Sequence, residues 1–113
     1  MPKTRVILEL GTGNDLHGSN YTTAALRTVQ DALHHSSLSF VRSLKIDKTR
    51  LEVDVTIGVQ QPDKVDIEKV RASLPIGRVT VKAVKGGLDV PDPENNDPAV
   101  IASAAIAVRI DVP

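Results

Sequence analysis

The sequence predicts a two-layer α+β sandwich in the order β-α-β-α-β-β, with room for one extra short strand. Three observations carry that expectation. Residues 51–59 alternate Leu51, Val53, Val55, Ile57 and Val59 with Glu52, Asp54, Thr56 and Gly58, which is the period of a half-buried strand. Residues 20–36 space Ala25, Leu26, Val29, Ala32 and Leu33 at i, i+3, i+4 and i+7, the apolar stripe of an amphipathic helix. Every even position from Val100 to Val112 is apolar, a parity that a helix has no reason to keep.

Taken in order, residues 5–10 alternate Val6, Leu8 and Leu10 with Arg5, Ile7 and Glu9, so the first strand is expected to bury the leucine face. A glycine-rich stretch, 11–20, follows as a loop, and Ser19, Asn20 or Thr22 can cap the first helix by accepting from a free N–H. Ser36–Ser39 breaks that helix. Phe40–Ile46 reads as extended or as the extra short strand, and Asp47-Lys48-Thr49 as a turn. Gln60-Gln61-Pro62 ends the 51–59 strand. Asp63 or Asp66 caps a short helix with Ile67, Val70 and Leu74 on its apolar face, and Pro75 stops it because the residue before a proline resists the α region.

Val79, Val81 and Ala83 form the next strand, closed by Gly86-Gly87, and residues 89–98 read as a polar loop with three prolines. Asp97-Pro98 has the chemistry of a helix start, aspartate at the N-cap and proline after it. The even-position parity that follows outweighs it, so 99–112 is expected to be one long strand. Its other face is small (Ala99, Ser103, Ala105, Ala107), which predicts close packing of another chain there.

Length and composition bound the function. The 113 residues suit one domain, 1–113. Tyr21 and Phe40 are the only aromatics, so the core is aliphatic and a base-stacking surface for nucleic acid is not expected. Fourteen basic and fourteen acidic residues cancel, leaving no field to draw in nucleic acid or an anionic membrane. There is no cysteine, hence no disulfide, thiolate nucleophile or cysteine-bound zinc. No signal-like segment and no run near the ~18 apolar residues of a membrane helix occurs. The expectation is a soluble cytoplasmic protein.

The stretch from Gly11 to Asn20 holds three glycines, an aspartate and a histidine, and reads as a ligand-facing loop. It is not a dinucleotide fingerprint, because Gly18 comes two positions late after Gly11 and Gly13. It is not a phosphate-binding loop either, because no lysine stands between Gly18 and Ser19. No cofactor is therefore assigned. Gly11, Gly13, Asn14 and Gly18, with the free N–H groups of the first helical turn, are candidates to bind a small polar or anionic ligand. Asp15 and His17 are the candidate catalytic acid and base, or two ligands of a divalent metal.

Each has a plainer reading. Gly11 and Gly13 can simply turn the chain from strand to helix, Asp15 can bond nearby backbone, and His17 can be a surface residue. Gly86 and Gly87 admit a ligand closely or end a strand. His34 and His35 are expected to face the helix's C-terminal carbonyls rather than a metal. Arg78, Lys82 and Lys85 are candidate anion partners that read better as solvated strand charges, and Asp97 as a turn or cap residue.

Gly11-x-Gly13-x-Asp15-x-His17-Gly18 resembles the GxGxDxHG signature near the N-terminus of a small family of uncharacterised proteins. The resemblance runs on through Gly86-Gly87-Leu88 and the Ala/Val-rich final strand. It implies no established activity. Without Phe40–Ile46, the order resembles the chorismate-mutase-like and endoribonuclease-like trimers, whose sheets close around a threefold axis. With it, the order becomes ferredoxin-like. The small-residue face of the last strand favours the trimer. The topology is also similar to one repeat unit of the ring-opening amidohydrolases (cyanuric acid hydrolase, barbiturase), but their Ser–Lys pair has no match here.

The expected function is therefore a homotrimeric small-molecule enzyme with an inter-subunit site on this loop. It would act on a small polar or heterocyclic metabolite, with hydrolysis among the options. The alternatives are a non-catalytic binding module for a small anion or metabolite and a divalent-metal-binding protein.

Overall fold

The computed structural model describes residues 3–15, 20–34, 51–74, 77–95 and 97–111. Within them lie β1 (Lys3–Asp15), α1 (Tyr21–His34), β2 (Glu52–Val59), a 3-10 turn at Pro62–Lys64, α2 (Ile67–Ala72), β3 (Arg78–Lys85), β4 (Leu88–Val90) and β5 (Ala99–Asp111). The expected extra strand at Phe40–Ile46, and His35, fall outside the described residues.

The five strands make one sheet in the order β1-β5-β2-β3, with β4 paired to β5 beyond the end of β2. β5 runs antiparallel to both β1 and β2, and β2 is parallel to β3. The last strand is thus inserted between the first two, and both helices cover one face. This is the two-layer α+β sandwich. Among the described residues no helix is long and apolar enough to cross a membrane.

The core is aliphatic and sits between the helices and that face. Val53, Val55, Ile57 and Val59 of β2 and Val100, Ala102, Ile106 and Val108 of β5 pack against Ala25, Val29 and Ala32 of α1. The even-position parity of the last segment is a strand's, as expected. Asn20 caps α1, its Oδ1 accepting from Thr23 N at 3.0 Å. Asp66 caps α2, accepting from Lys69 N at 3.1 Å.

Three expectations are corrected. First, β1 does not stop at residue 10. Gly11 to Asp15 continue in register with Ala104 to Val100, so half of the glycine-rich stretch is strand. The reason is close packing. A Cβ on Gly11 would lie 2.5 Å from Ala32 N, and one on Gly13 would lie 2.2 Å from Thr28 N, both backbone atoms of α1. The glycines let the helix lie directly on the strand, where Thr28 Oγ1 donates to Gly11 O at 2.9 Å.

Second, Leu8 and Leu10 are exposed rather than buried. The Gly11-Gly13 side of β1 faces α1, so the leucines point away from the helices. Third, residues 88–90 are a short strand, where 89–98 was expected to be loop throughout. The chain leaves edge strand β3, passes the end of β2 and pairs with β5. Gly86 N–H donates to Val59 O at 2.9 Å during that passage. Gly87 has φ +62°, and a Cβ there would meet Ile101 O at 2.2 Å, so only glycine fits the crossing.

Candidate functional site

The far end of β1 brings Asp15 to the N-terminal rim of α1. Asp15 and Asp89 are both in register with Val100, one from β1 and the other from β4. They occupy one row of the sheet, on the same face, about 10 Å apart by the spacing of two strands. Val100 is buried between them beneath the first turn of α1.

Asp15 is 8% exposed. Its Oδ2 accepts the N–H of Asn20 at 2.9 Å, and its Oδ1 lies 3.6 Å from Nη1 of Arg27. Arg27 Nη1 also donates to the carbonyl of Asn14 at 2.7 Å. Asp15 therefore ties the end of β1 to the start of α1. His17 and Gly18 lie outside the described residues.

Across the row, Tyr21 is buried and its hydroxyl donates to Asp89 Oδ2, while Gln61 Nε2 donates to the same hydroxyl at 2.9 Å. Burial, and then the hydrogen bond and charge of Asp89, raise the Tyr21 phenol above its usual value of 10.0, with Gln61 opposing. The hydroxyl is held as a donor. The other carboxylate oxygen, Asp89 Oδ1, is buried without a hydrogen-bond partner among the described residues.

The remaining sequence candidates separate from this rim. Gly11 and Gly13 lie inside β1. Thr12 N–H turns outward to Asp31 Oδ2 at 2.9 Å, so the alternation of an antiparallel ladder sends the N–H groups of Gly11 and Gly13 toward β5. The ladder uses the donors that were expected to hold an oxyanion. The carbonyls of Gly86 and Gly87 accept from Gln60 Nε2 at 3.0 and 3.2 Å. Arg78, Lys82 and Lys85 are exposed along β3. Among the described residues no three His, Cys, Asp or Glu side chains gather as a metal site.

A trough of about 580 Å³ opens on the sheet face away from the helices, between Leu10 and Val84 over Gly58, Ser103 and Ala105. Sequence reasoning missed Tyr21, Gln61 and Asp89. Tyr21 carried a usable signal, since the one tyrosine of an aliphatic chain must find a polar partner when buried. Asp89 carried none, being one acid among several in a proline-rich stretch.

The model of the conserved hypothetical protein family Lin0512_fam matches residues 5–108. The chain is similar in structure to an FtsZ-like protein of unknown function from Nostoc punctiforme. The two are 36% identical, the match covers 99% of each chain, and the TM-score is 0.85. A search of curated proteins gives no match.

Proposed function

The chain belongs to that conserved hypothetical family, Lin0512_fam, and we propose that it binds a small polar or heterocyclic metabolite at the rim formed by Asp15, Tyr21, Gln61 and Asp89. The observation that carries this reading is the Asp89 carboxylate, whose Oδ1 is buried with no partner among the described residues while Tyr21 holds its Oδ2. Leaving a buried acceptor unsatisfied costs about 1–3 kcal/mol, which a ligand donor removes. The chemistry of the acceptor selects the ligand. It must present N–H, O–H or ammonium groups, which favours a donor-bearing molecule over the anion expected from the glycines. Arg27, the cation at this rim, is already engaged by Asn14 and Asp15.

Turnover is the second form of the reading, with Asp15 and His17 as acid and base. In its favour, Asp15 and Asp89 stand in one row of the sheet, on the face that α1 covers. A homotrimer belongs to the same proposal, supported by the exposed Leu8, Leu10, Val84, Leu88 and Val90.

The test is a thermal scan of the protein against a panel of polar and heterocyclic metabolites. A true ligand at a hundredfold excess over its Kd adds about 2.7 kcal/mol of stability. Asp89→Asn and Tyr21→Phe are expected to abolish the shift. A shift that survives both substitutions places the ligand elsewhere, and no shift with any compound at millimolar concentration ends the reading.

A further inference from the structure

Among the described residues, all five of the large hydrophobic side chains that stand exposed lie on the face of the sheet away from the helices: Leu8, Leu10, Val84, Leu88 and Val90. Leu8 and Leu10 are 46% and 64% exposed. Register arranges the face in rows across β1, β5, β2 and β3. One row reads Leu8, Ala107, Asp54, Thr80, the next Leu10, Ala105, Thr56, Lys82, and the next Thr12, Ser103, Gly58, Val84. A leucine ridge on β1 thus borders a floor of small residues on β5 and β2, and that floor is the trough of about 580 Å³. The polar side chains of the face, Asp54, Thr56, Thr80 and Lys82, gather on β2 and β3, while its exposed leucines lie on β1 and β4. Exposed large apolar side chains grouped in this way mark an interaction site.

We propose that this face is covered by the same face of another copy of the chain, with the Leu8–Leu10 ridge of each copy seated in the Gly58–Ser103–Ala105 trough of its neighbour. Three features select a second copy. Ridge and trough lie side by side on one face, so the surface is complementary to itself. The face carries charges of both signs, Arg5, Arg78, Lys82 and Arg109 beside Glu52 and Asp54, with Arg109 Nε paired to Asp54 Oδ2 at 3.0 Å, so a second copy meets it with both signs in turn. The area also suffices. Four strands of eight residues span about 19 by 26 Å, and the overhang of β1 and β5 with β4 brings the face to about 700–800 Å². A standard interface buries about 800 Å² per partner.

This inference deepens the oligomer part of the reading above and is independent of the ligand. Its test is the mass of the full chain in solution by light scattering, 12.1 kDa for a monomer. Wild type is expected at two or three times that mass. Leu10→Glu is expected to fall to the monomer mass with an unchanged circular dichroism spectrum, because the side chain is exposed in the single chain. Gln30→Glu, on the exposed side of α1, is expected to stay oligomeric.

Should Leu10→Glu not fold, Leu10→Cys mixed with Ser103→Cys decides, since the chain has no cysteine of its own. A disulfide between the two chains supports the interface, and its absence overturns it. A monomeric wild type at 100-fold dilution series and at every higher concentration tested overturns both the interface and the oligomer. An oligomer that survives Leu10→Glu overturns this interface alone and moves the contact to another face.

Discussion

Replacing Gly13 with alanine puts a methyl carbon 2.2 Å from Thr28 N, 2.6 Å from Arg27 C and 2.7 Å from Thr28 Cα. All three are backbone atoms of α1, so no change of rotamer relieves the contact. The helix must move off β1 by about 1.2 Å to restore an ordinary 3.4 Å separation. That movement also stretches the buried bond from Thr28 Oγ1 to Gly11 O, now 2.9 Å. Overpacking of this kind costs about 1–3 kcal/mol and a weakened hydrogen bond about 1 kcal/mol more, for a total near 3 kcal/mol. Against a domain stability of about 5–15 kcal/mol this is a large fraction. The Tm is expected to fall by about 12–18 °C in a thermal melt followed by circular dichroism. Thr12→Ala, at the exposed position beside it, is the control and is expected within about 0.5 kcal/mol of wild type. A Gly13→Ala protein within about 1 kcal/mol of wild type refutes the packing account, and the glycine then has to be explained by a ligand.

Three further outcomes follow from the same geometry. Tyr21→Phe leaves Asp89 Oδ2 and Gln61 Nε2 without the hydroxyl and is expected to cost about 1–3 kcal/mol in urea denaturation. The phenol's raised pKa means the folded state keeps a proton that the unfolded state loses near 10.0, so that contribution is full below pH 10 and is lost as pH rises through the folded value. The wild-type alkaline slope of stability is expected to be shallower in Tyr21→Phe. Asp15→Ala removes the acceptor for Asn20 N–H and the partner of Arg27, and is expected to destabilise by about 1–3 kcal/mol in urea denaturation. Gly87→Ala, at φ +62° and 2.2 Å from Ile101 O, is expected to lose at least about 2 kcal/mol and to raise hydrogen exchange in β4 first.

The secondary structure was legible wherever side chains alternate at a clear period. The strand at 51–59, the helix stripe Ala25-Val29-Ala32 and the parity from Val100 onward all describe the buried faces that the fold uses. A cap at Asp63 or Asp66 was legible because a short polar side chain before an apolar run is a ready acceptor, and the structure uses Asp66. β4 was not, since three residues between glycines and prolines carry too little pattern to separate strand from loop. At the candidate site, Asp15 stood out from sequence, but Tyr21, Gln61 and Asp89 lie 6, 46 and 74 positions away, and Asp89 shares its row only through the register of β4 and β5.

For the motif that first drew attention, the sequence by itself determined that Gly11, Gly13 and Asp15 share one parity and that an amphipathic helix follows them. It also determined an aliphatic core with no net charge around it. Only the tertiary structure decided which face of β1 the helix covers. Hydropathy assigns the covered face to the leucines, because glycine has no side chain with which to report burial. Backbone contact at 2.2 and 2.5 Å assigns it to the glycines, turns the leucines outward as a ridge and sets Asp15 at the rim.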